Sequence, residues 1–305
     1  MRIGIDFGGT KIEAVGLDAD GVVLARKRVP NPGNYDAAIQ TVADLVAFIE
    51  SETERTGSIG MGTPGSQSPA TGLMRNANSV YLNGRRFGED LEARLSRPVR
   101  LANDANCLAL SEATDGAAAG ARAAFAIIIG TGCGGGLVVD GKLVEGAGGV
   151  AAEIGHVSLP WPSAEEAPGP ACWCGLNGCL ETWVSGSGLQ RDHRERTGQS
   201  LDAPDIVAAA RGGEAASVDS LERYIDRLGR AIAMTANLVD PDVFVLGGGM
   251  SNVTELYDRL PAVVERYAFS DHWEGRIAPA VWGDSSGVRG AARLWSLDEV
   301  QGEAA

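Results

Sequence analysis

The sequence predicts an α/β protein made of two halves of similar design, and three observations carry that expectation. First, Ile3 to Phe7 is a short apolar run that ends in Gly8-Gly9-Thr10-Lys11, resumes as Ile12 to Leu17 and turns at Asp20-Gly21; the same order recurs later. There Phe125 to Ile129 leads into the glycines of 130–136, then Leu137 to Val139, Asp140-Gly141 and Leu143. Second, apolar residues at helical spacing separate the strand-like runs, which is the alternation of an α/β chain. Third, glycine clusters follow the buried runs at Gly62 to Ser66 and Gly247 to Met250, where a strand has to give way to a turn, and Gly283 to Gly287 is a loop.

Taken in order, Tyr35, Ile39, Val42, Leu45, Val46 and Ile49 form one face of a helix that stops near Gly57. Ser58 to Met61 runs into Gly62-Thr63-Pro64-Gly65-Ser66, a turn no helix tolerates, and Asn76, Asn78 and Asn83 occupy the loop beyond. Leu91 and Leu95 mark a short helix ended by Pro98, and Val99 to Leu101 is a strand. Asn103-Asp104-Ala105-Asn106 then opens an alanine-rich helix. Farther on, Leu221, Tyr224, Ile225, Leu228 and Ile232 form a helix face broken at Asp240-Pro241. Val243 to Leu246 is a buried strand, Leu256 and Leu260 mark a helix, and Val288 to Trp295 is the closing one. The expected domains are 1–115 with 291–305, and 116–290.

The 305 residues suffice for two cores, and a hydrophobic content of 44% is ordinary for a globular protein. With 26 basic and 40 acidic residues the net charge is −14, a field that repels phosphate backbones, so nucleic acid is not an expected partner. The longest uncharged run, Ala123 to Val139, is too broken by glycine for a membrane helix, and no basic-then-apolar leader opens the chain. Five cysteines, three of them in one short loop, suit a reducing compartment, and the expected location is the cytoplasm.

That loop concentrates chemistry. Between Glu153 and Glu181 lie His156, an acidic proline-rich insert, and Cys172, Cys174 and Cys179. One imidazole and three thiolates make a closed tetrahedral set of the kind that holds structural zinc. A redox cluster or plain buried thiols are the competing readings, but a C-x-C pair, a Gly-x-x-Gly turn and a third cysteine keep the sulfurs on one tight loop. Glu153 and Glu181 are then left to hydrogen-bond a polar ligand.

Two glycine-rich motifs fail on context. Gly130-Thr131-Gly132-Cys133-Gly134-Gly135 matches the dinucleotide fingerprint but continues into a strand where that fingerprint must open a helix. The stretch 136–142 mimics a phosphate-binding loop but has Leu143 where the magnesium-binding hydroxyl belongs. What survives is a pair of glycine turns, each able to aim backbone N–H groups at an anion, with Thr10, Lys11 and Thr131 as added donors. Asp6, an acid at the end of a core strand beside such a turn, fits a magnesium ion held through water. Asp104, at a strand-to-helix switch, is either a helix cap or the carboxylate that accepts a hydroxyl proton in phosphoryl transfer.

The motifs Asp6 to Lys11, Leu101 to Asn106, Ile129 to Gly134, Glu153 to His156, Cys174 to Glu181 and Leu246 to Asn252 together resemble the ROK family of bacterial sugar kinases. Asn76 to Ser79, Leu82 to Gly84 and Gly283 to Ala292 extend the likeness toward its fructokinase (mannokinase) branch, although Tyr81 stands where that branch carries tryptophan. The resemblance implies an actin-like, hexokinase-type duplicated fold with two domains around a nucleotide and sugar cleft and a zinc-binding loop. It implies ATP-dependent phosphorylation of the primary hydroxyl of a hexose, D-fructose first; another hexose such as mannose, glucose or an N-acetylhexosamine, and a non-catalytic sugar sensor, are the alternatives. Asp104 would be the general base, and Asn78, Asn103, Glu153, His156 and Glu181 would hold the sugar. ATP would meet Asp6, Gly8, Gly9, Thr10 and Lys11, then Gly130, Thr131, Gly132, Cys133 and Gly134, and Gly247, Gly248, Gly249 and Met250. Magnesium would sit at Asp6, and structural zinc on His156, Cys172, Cys174 and Cys179. The family often forms dimers, so a homodimer is compatible with it.

Overall fold

The computed structural model describes residues 1–302, in two compact units. One comprises Met1–Gly116, Lys142–Ala151 and the chain from Asp284 onward; the other comprises Ala117–Gly141 and Ala152–Gly283. The segment 142–151 packs with the first unit, and the return to that unit begins at Asp284, upstream of the expected residue 291. Among the described residues no helix is long and apolar enough to cross a membrane.

The first unit starts with β1 (Arg2–Phe7), β2 (Lys11–Leu17) and β3 (Val23–Pro30), an antiparallel run in which every β2 position after Lys11 is buried. Helix α1 (Tyr35–Thr53) is capped by Asn34, whose side chain accepts from the Ala37 amide, and it ends in a left-handed Glu54. Strand β4 (Ser58–Thr63) then lies parallel to β1, and a small hairpin of β5 (Ser66–Gln67) and β6 (Met74–Arg75) follows. Helix α2 (Phe87–Leu95) leads to β7 (Val99–Asn103), parallel to β4, and to α3 (Asp104–Asp115). The strand order is β3-β2-β1-β4-β7.

In the second unit β8 (Ala123–Ile129) and β9 (Cys133–Val139) form the antiparallel pair, and the left-handed pair Asp140 (φ 50°) and Gly141 (φ 72°) turns the chain into β10 (Lys142–Leu143). The glycine turn is shorter than expected. It covers 130–132, because Gly134, Gly135 and Gly136 already pair with β8. Gly135 has a packing reason to be there: a Cβ would lie 2.3 Å from the Ala152 carbonyl oxygen. Helices α4 (Glu181–Val184), α5 (Gly186–Thr197), α6 (Ala203–Arg211) and α7 (Ala215–Val239) follow the cysteine loop. Strand β11 (Val243–Gly247), helix α8 (Glu255–Tyr267) and strand β12 (Arg276–Pro279) complete it. Strands β9-β8-β11-β12 lie in the order of β2-β1-β4-β7, so the repeat read in the hairpins extends to the crossovers.

Helix α9 (Ser286–Ala292) packs on β1, β4 and α3 of the first unit, and a short α10 (Leu297–Gly302) follows. Glycines permit that approach. A Cβ would come within 2.0 Å of the Val288 carbonyl oxygen at Gly4, 1.9 Å of that of Ala291 at Gly60, and 1.7 Å of that of Cys107 at Gly290. All three obstacles are backbone, which cannot swing aside. Gly60→Ala is therefore expected to destabilise the protein by about 3 kcal/mol or more by forcing α9 off the sheet. Urea unfolding checks this, and an unchanged midpoint would rule out such close packing.

Candidate active site

In the first unit the candidate residues gather at the ends of β1 and β7. The turn 8–10 closes with the Gly8 amide donating to the Lys11 carbonyl at 3.0 Å. Asn31, which has no motif around it, holds the turn from outside: its Nδ2 donates to the Gly8 carbonyl at 2.7 Å, and its backbone amide to the Thr10 carbonyl at 2.9 Å. The Tyr81 hydroxyl donates to Asn31 Oδ1 at 2.7 Å, so Tyr81 acts on the turn through Asn31. Asn78 is exposed and near Gly9, whose Cβ position is 4.0 Å from Asn78 Oδ1.

At the end of β7 the cap of α3 is Asn103, whose Oδ1 accepts from the Asn106 amide at 2.7 Å. Asp104 is thereby released from capping duty and is exposed on the first turn, its Oδ1 accepting from the Ala105 amide at 2.8 Å. Asp6 lies deeper, under α9, where Gly287 leaves only 3.5 Å between its Cβ position and Asp6 Cγ. Burial, and then the charges of Asp104 and Glu13, push the Asp6 carboxyl up to about 6.

The sign of that shift gives a stability prediction. The folded protein holds a proton that the unfolded chain releases near pH 4, so this group makes folding less favourable as pH rises from about 4 to about 6. Asp6→Asn is expected to raise stability at pH 7.5 by roughly 3 kcal/mol at most and to have little effect at pH 4. Melting temperatures at the two pH values check it; equal increments at both would remove the charge as the cause.

In the second unit the cysteine loop assembles as the spacing predicts. His156 Nδ1, or its other ring nitrogen, and the three Sγ atoms lie within 4.8 Å of one another. His156 Nδ1 is 3.6 Å from Cys172 Sγ, and Cys174 Sγ is 3.6 Å from Cys179 Sγ. A tetrahedral zinc site has sulfur-sulfur edges of about 3.8 Å, close to the two 3.6 Å separations here, so the donor set is of the right type and spacing for zinc. Four protein ligands leave no open position, and the ion would supply charge neutralisation and cross-linking.

Glu181 opens α4 and is already engaged. Its Oε1 accepts from the indole of exposed Trp173 at 2.7 Å and its Oε2 from the Cys133 amide at 3.0 Å. Two consequences follow. The Cys133 amide, in the stretch expected to meet ATP, is committed to Glu181, and Cys133 itself is buried at the start of β9, where half-buried Gly134 follows it in the strand. Glu181 also ties the glycine turn to the cysteine loop, because Trp173 stands edge-on to the His156 ring with centroids 4.8 Å apart. Gly132 makes room for that carboxylate, since a Cβ there would be 2.6 Å from Oε2. Glu153 and His156 are half-buried on the short helical turn at Ile154–His156.

A cavity of about 550 Å³ adjoins Gly130 and Thr131, with Gly249 and Met250 on another wall. The remaining walls, among them Ser187, Gln190, Pro204 and Val207 of α5 and α6, had no signal in the sequence. They are ordinary helix residues that only chain folding brings to the glycine turn. Gly248, at φ 81°, follows β11, and its Cβ position is 2.8 Å from the Ile129 carbonyl oxygen.

Paired α/β units with matching strand order, each carrying a glycine turn after its first strand, define the actin-like, hexokinase-type class. Within that class the chain belongs to the ROK family, whose model matches residues 2–297. It is 39% identical over 303 residues to an N-acetyl-D-glucosamine kinase of Pectobacterium atrosepticum, covering 98% of this chain and all of that one. Among solved structures, a ROK hexokinase from Thermus thermophilus matches with a TM-score of 0.87 at 32% identity, over 97% of this chain and 98% of that one. A ROK family glucokinase from Streptomyces griseus, in complex with glucose and AMPPNP, matches at 0.79 and 30% identity, over 96% and 98%.

Proposed function

We propose that this chain is an ATP-dependent sugar kinase whose preferred sugar is N-acetyl-D-glucosamine, phosphorylated on its primary hydroxyl. The observation that carries the sugar is the end-to-end likeness to an N-acetyl-D-glucosamine kinase. Other relatives at 37–38% identity, including one of Vibrio cholerae, bear the same name. The expectation of fructose finds no support among them, and the N-acetylhexosamine carried as an alternative takes its place.

In this reading Asp104 accepts the proton of the attacking hydroxyl, a role that needs an exposed carboxylate held by its own helix, as the Ala105 amide holds it here. Asn78, Asn103, Glu153, His156 and Glu181 bind the sugar. With the Gly8 and Gly130 amides closing their own turns, Gly9 and Thr10 in one turn and Thr131 and Gly132 in the other present amides to the phosphates, and the cavity beside Gly249 and Met250 takes the adenosine. Asp6 would hold a magnesium ion through water, and the ion would supply charge neutralisation on the phosphates. His156 turns Nδ1 to the cysteines, leaving its other nitrogen for the sugar.

A coupled assay of ADP release with Mg-ATP against N-acetylglucosamine, N-acetylmannosamine, glucose, mannose and fructose tests this. The highest kcat/KM is expected on N-acetylglucosamine. A higher value on fructose would restore the first expectation, and absence of turnover on all five would move the reading to a sensor.

A further inference from the structure

The acidic insert between His156 and Cys172 is gripped from beneath by two buried arginines of α7. Glu166 Oε1 accepts from Arg227 Nε at 2.8 Å and from Arg230 Nη2 at 2.8 Å; its Oε2 accepts from Arg230 Nη1 and from the Ser163 amide, both at 3.0 Å. Arg230 also donates to the carbonyls of Trp161 at 2.8 Å and Pro160 at 3.2 Å. Arg227 and Arg230 are 2% and 4% exposed, so their charges depend on these partners, with Asp192 3.0 Å from Arg227.

The insert in turn sets the segment that carries the site. Its first strand-like residues pair with the chain just before Glu181: the Leu159 amide donates to the Gly178 carbonyl at 2.9 Å, and the Leu180 amide to the Val157 carbonyl at 2.8 Å. Its other end is bonded by the Gly178 amide to the Pro170 carbonyl at 2.8 Å. From the opposite side the Arg227 guanidinium lies 4.3 Å over the ring of Trp183, two residues beyond Glu181. The same arginine therefore touches the insert and the helix that Glu181 begins.

We propose that Glu166 is a positioning residue for the sugar site, clamping the insert to α7 so that the cysteine loop and Glu181 keep their relative placement. The inference rests on the kinase reading for its kinetic consequence, but not for its structural one. Glu166 touches no candidate ligand residue, and its effect passes through the insert.

The test compares Glu166→Gln, Glu166→Asp and Arg230→Lys with Glu165→Gln, a change at the exposed neighbour that makes a 3.4 Å surface contact to Arg196. For Glu166→Gln the sugar KM is expected to rise about tenfold, with kcat and the KM for ATP within about twofold of the parent. Release of zinc to a chromogenic chelator is expected to be about tenfold faster. Glu166→Asp should recover part of both losses, Arg230→Lys should show them more weakly, and Glu165→Gln neither. Should Glu166→Gln not fold, the aspartate and lysine variants must carry the same pattern. Parent-like sugar KM and zinc release in Glu166→Gln would overturn the proposal, as would equal losses in kcat, ATP KM and sugar KM, which describe general loosening. If the parent phosphorylates no sugar, the kinase reading fails by itself, and zinc release still decides whether Glu166 holds the loop.

Discussion

Asp104→Asn is expected to lower kcat about a thousandfold while sugar KM stays within a few-fold of the parent. The change is nearly isosteric, and its side-chain oxygen can still accept from the Ala105 amide at the position where Oδ1 does so now at 2.8 Å. The helix start is not at risk, because the cap of α3 is Asn103 and not Asp104. What the amide cannot do is take a proton from the attacking hydroxyl. The split is therefore diagnostic: a fold and a sugar affinity that persist, with a chemical step that does not. Steady-state kinetics with Mg-ATP and N-acetylglucosamine, beside a melting curve, would measure it. Turnover near the parent value would remove Asp104 as the base.

The second large effect is expected at the cysteine loop. Cys179 is 1% exposed, and its sulfur lies 3.6 Å from that of Cys174 and 3.7 Å from the His156 carbonyl oxygen. Cys179→Ser replaces a thiolate with a poor zinc donor in a space shaped for sulfur. Zinc content is expected to fall below one equivalent, and the sugar KM to rise by about ten- to a hundredfold. The reason lies two residues on, at Glu181, whose carboxylate is held by Trp173 from inside the loop. Stability should drop by several kcal/mol, since a structural zinc contributes directly to folding. An unaltered zinc stoichiometry and melting temperature in this variant would refute the metal staple; an altered melting temperature with an unaltered sugar KM would separate the staple from the sugar.

Much of this site is legible in the sequence because its signals are local. The four candidate zinc ligands are close in sequence and of chelating type, and they assemble within 4.8 Å. The Asn103-Asp104 pair follows an apolar strand, and it does stand at a strand-to-helix switch. Where reading failed, long-range partners were at work. The glycine run predicts a second turn as far as residue 136, whereas β9 starts at Cys133 because Gly134 to Gly136 pair with β8. The resemblance places Cys133 among the ATP contacts, and in the structure its amide donates to the Glu181 carboxylate of α4. Nothing near Asn31 or Glu166 in the chain distinguishes them from surface residues.

Periodicity, turn chemistry and chelating spacing act over a few residues, so the duplicated α/β plan, the clustering of His156 with the three cysteines and the presence of two glycine turns can be read from the chain alone. The folded chain was needed to see that Asn103 caps while Asp104 is exposed, that Asn31 clamps the first turn, and that Arg227 and Arg230 grip the insert. The Asn103 cap is a local bond to the Asn106 amide, whereas half-buried Asn31 and the two buried arginines find their partners far away in the chain. A buried charge or amide must be satisfied by whatever the fold brings near it.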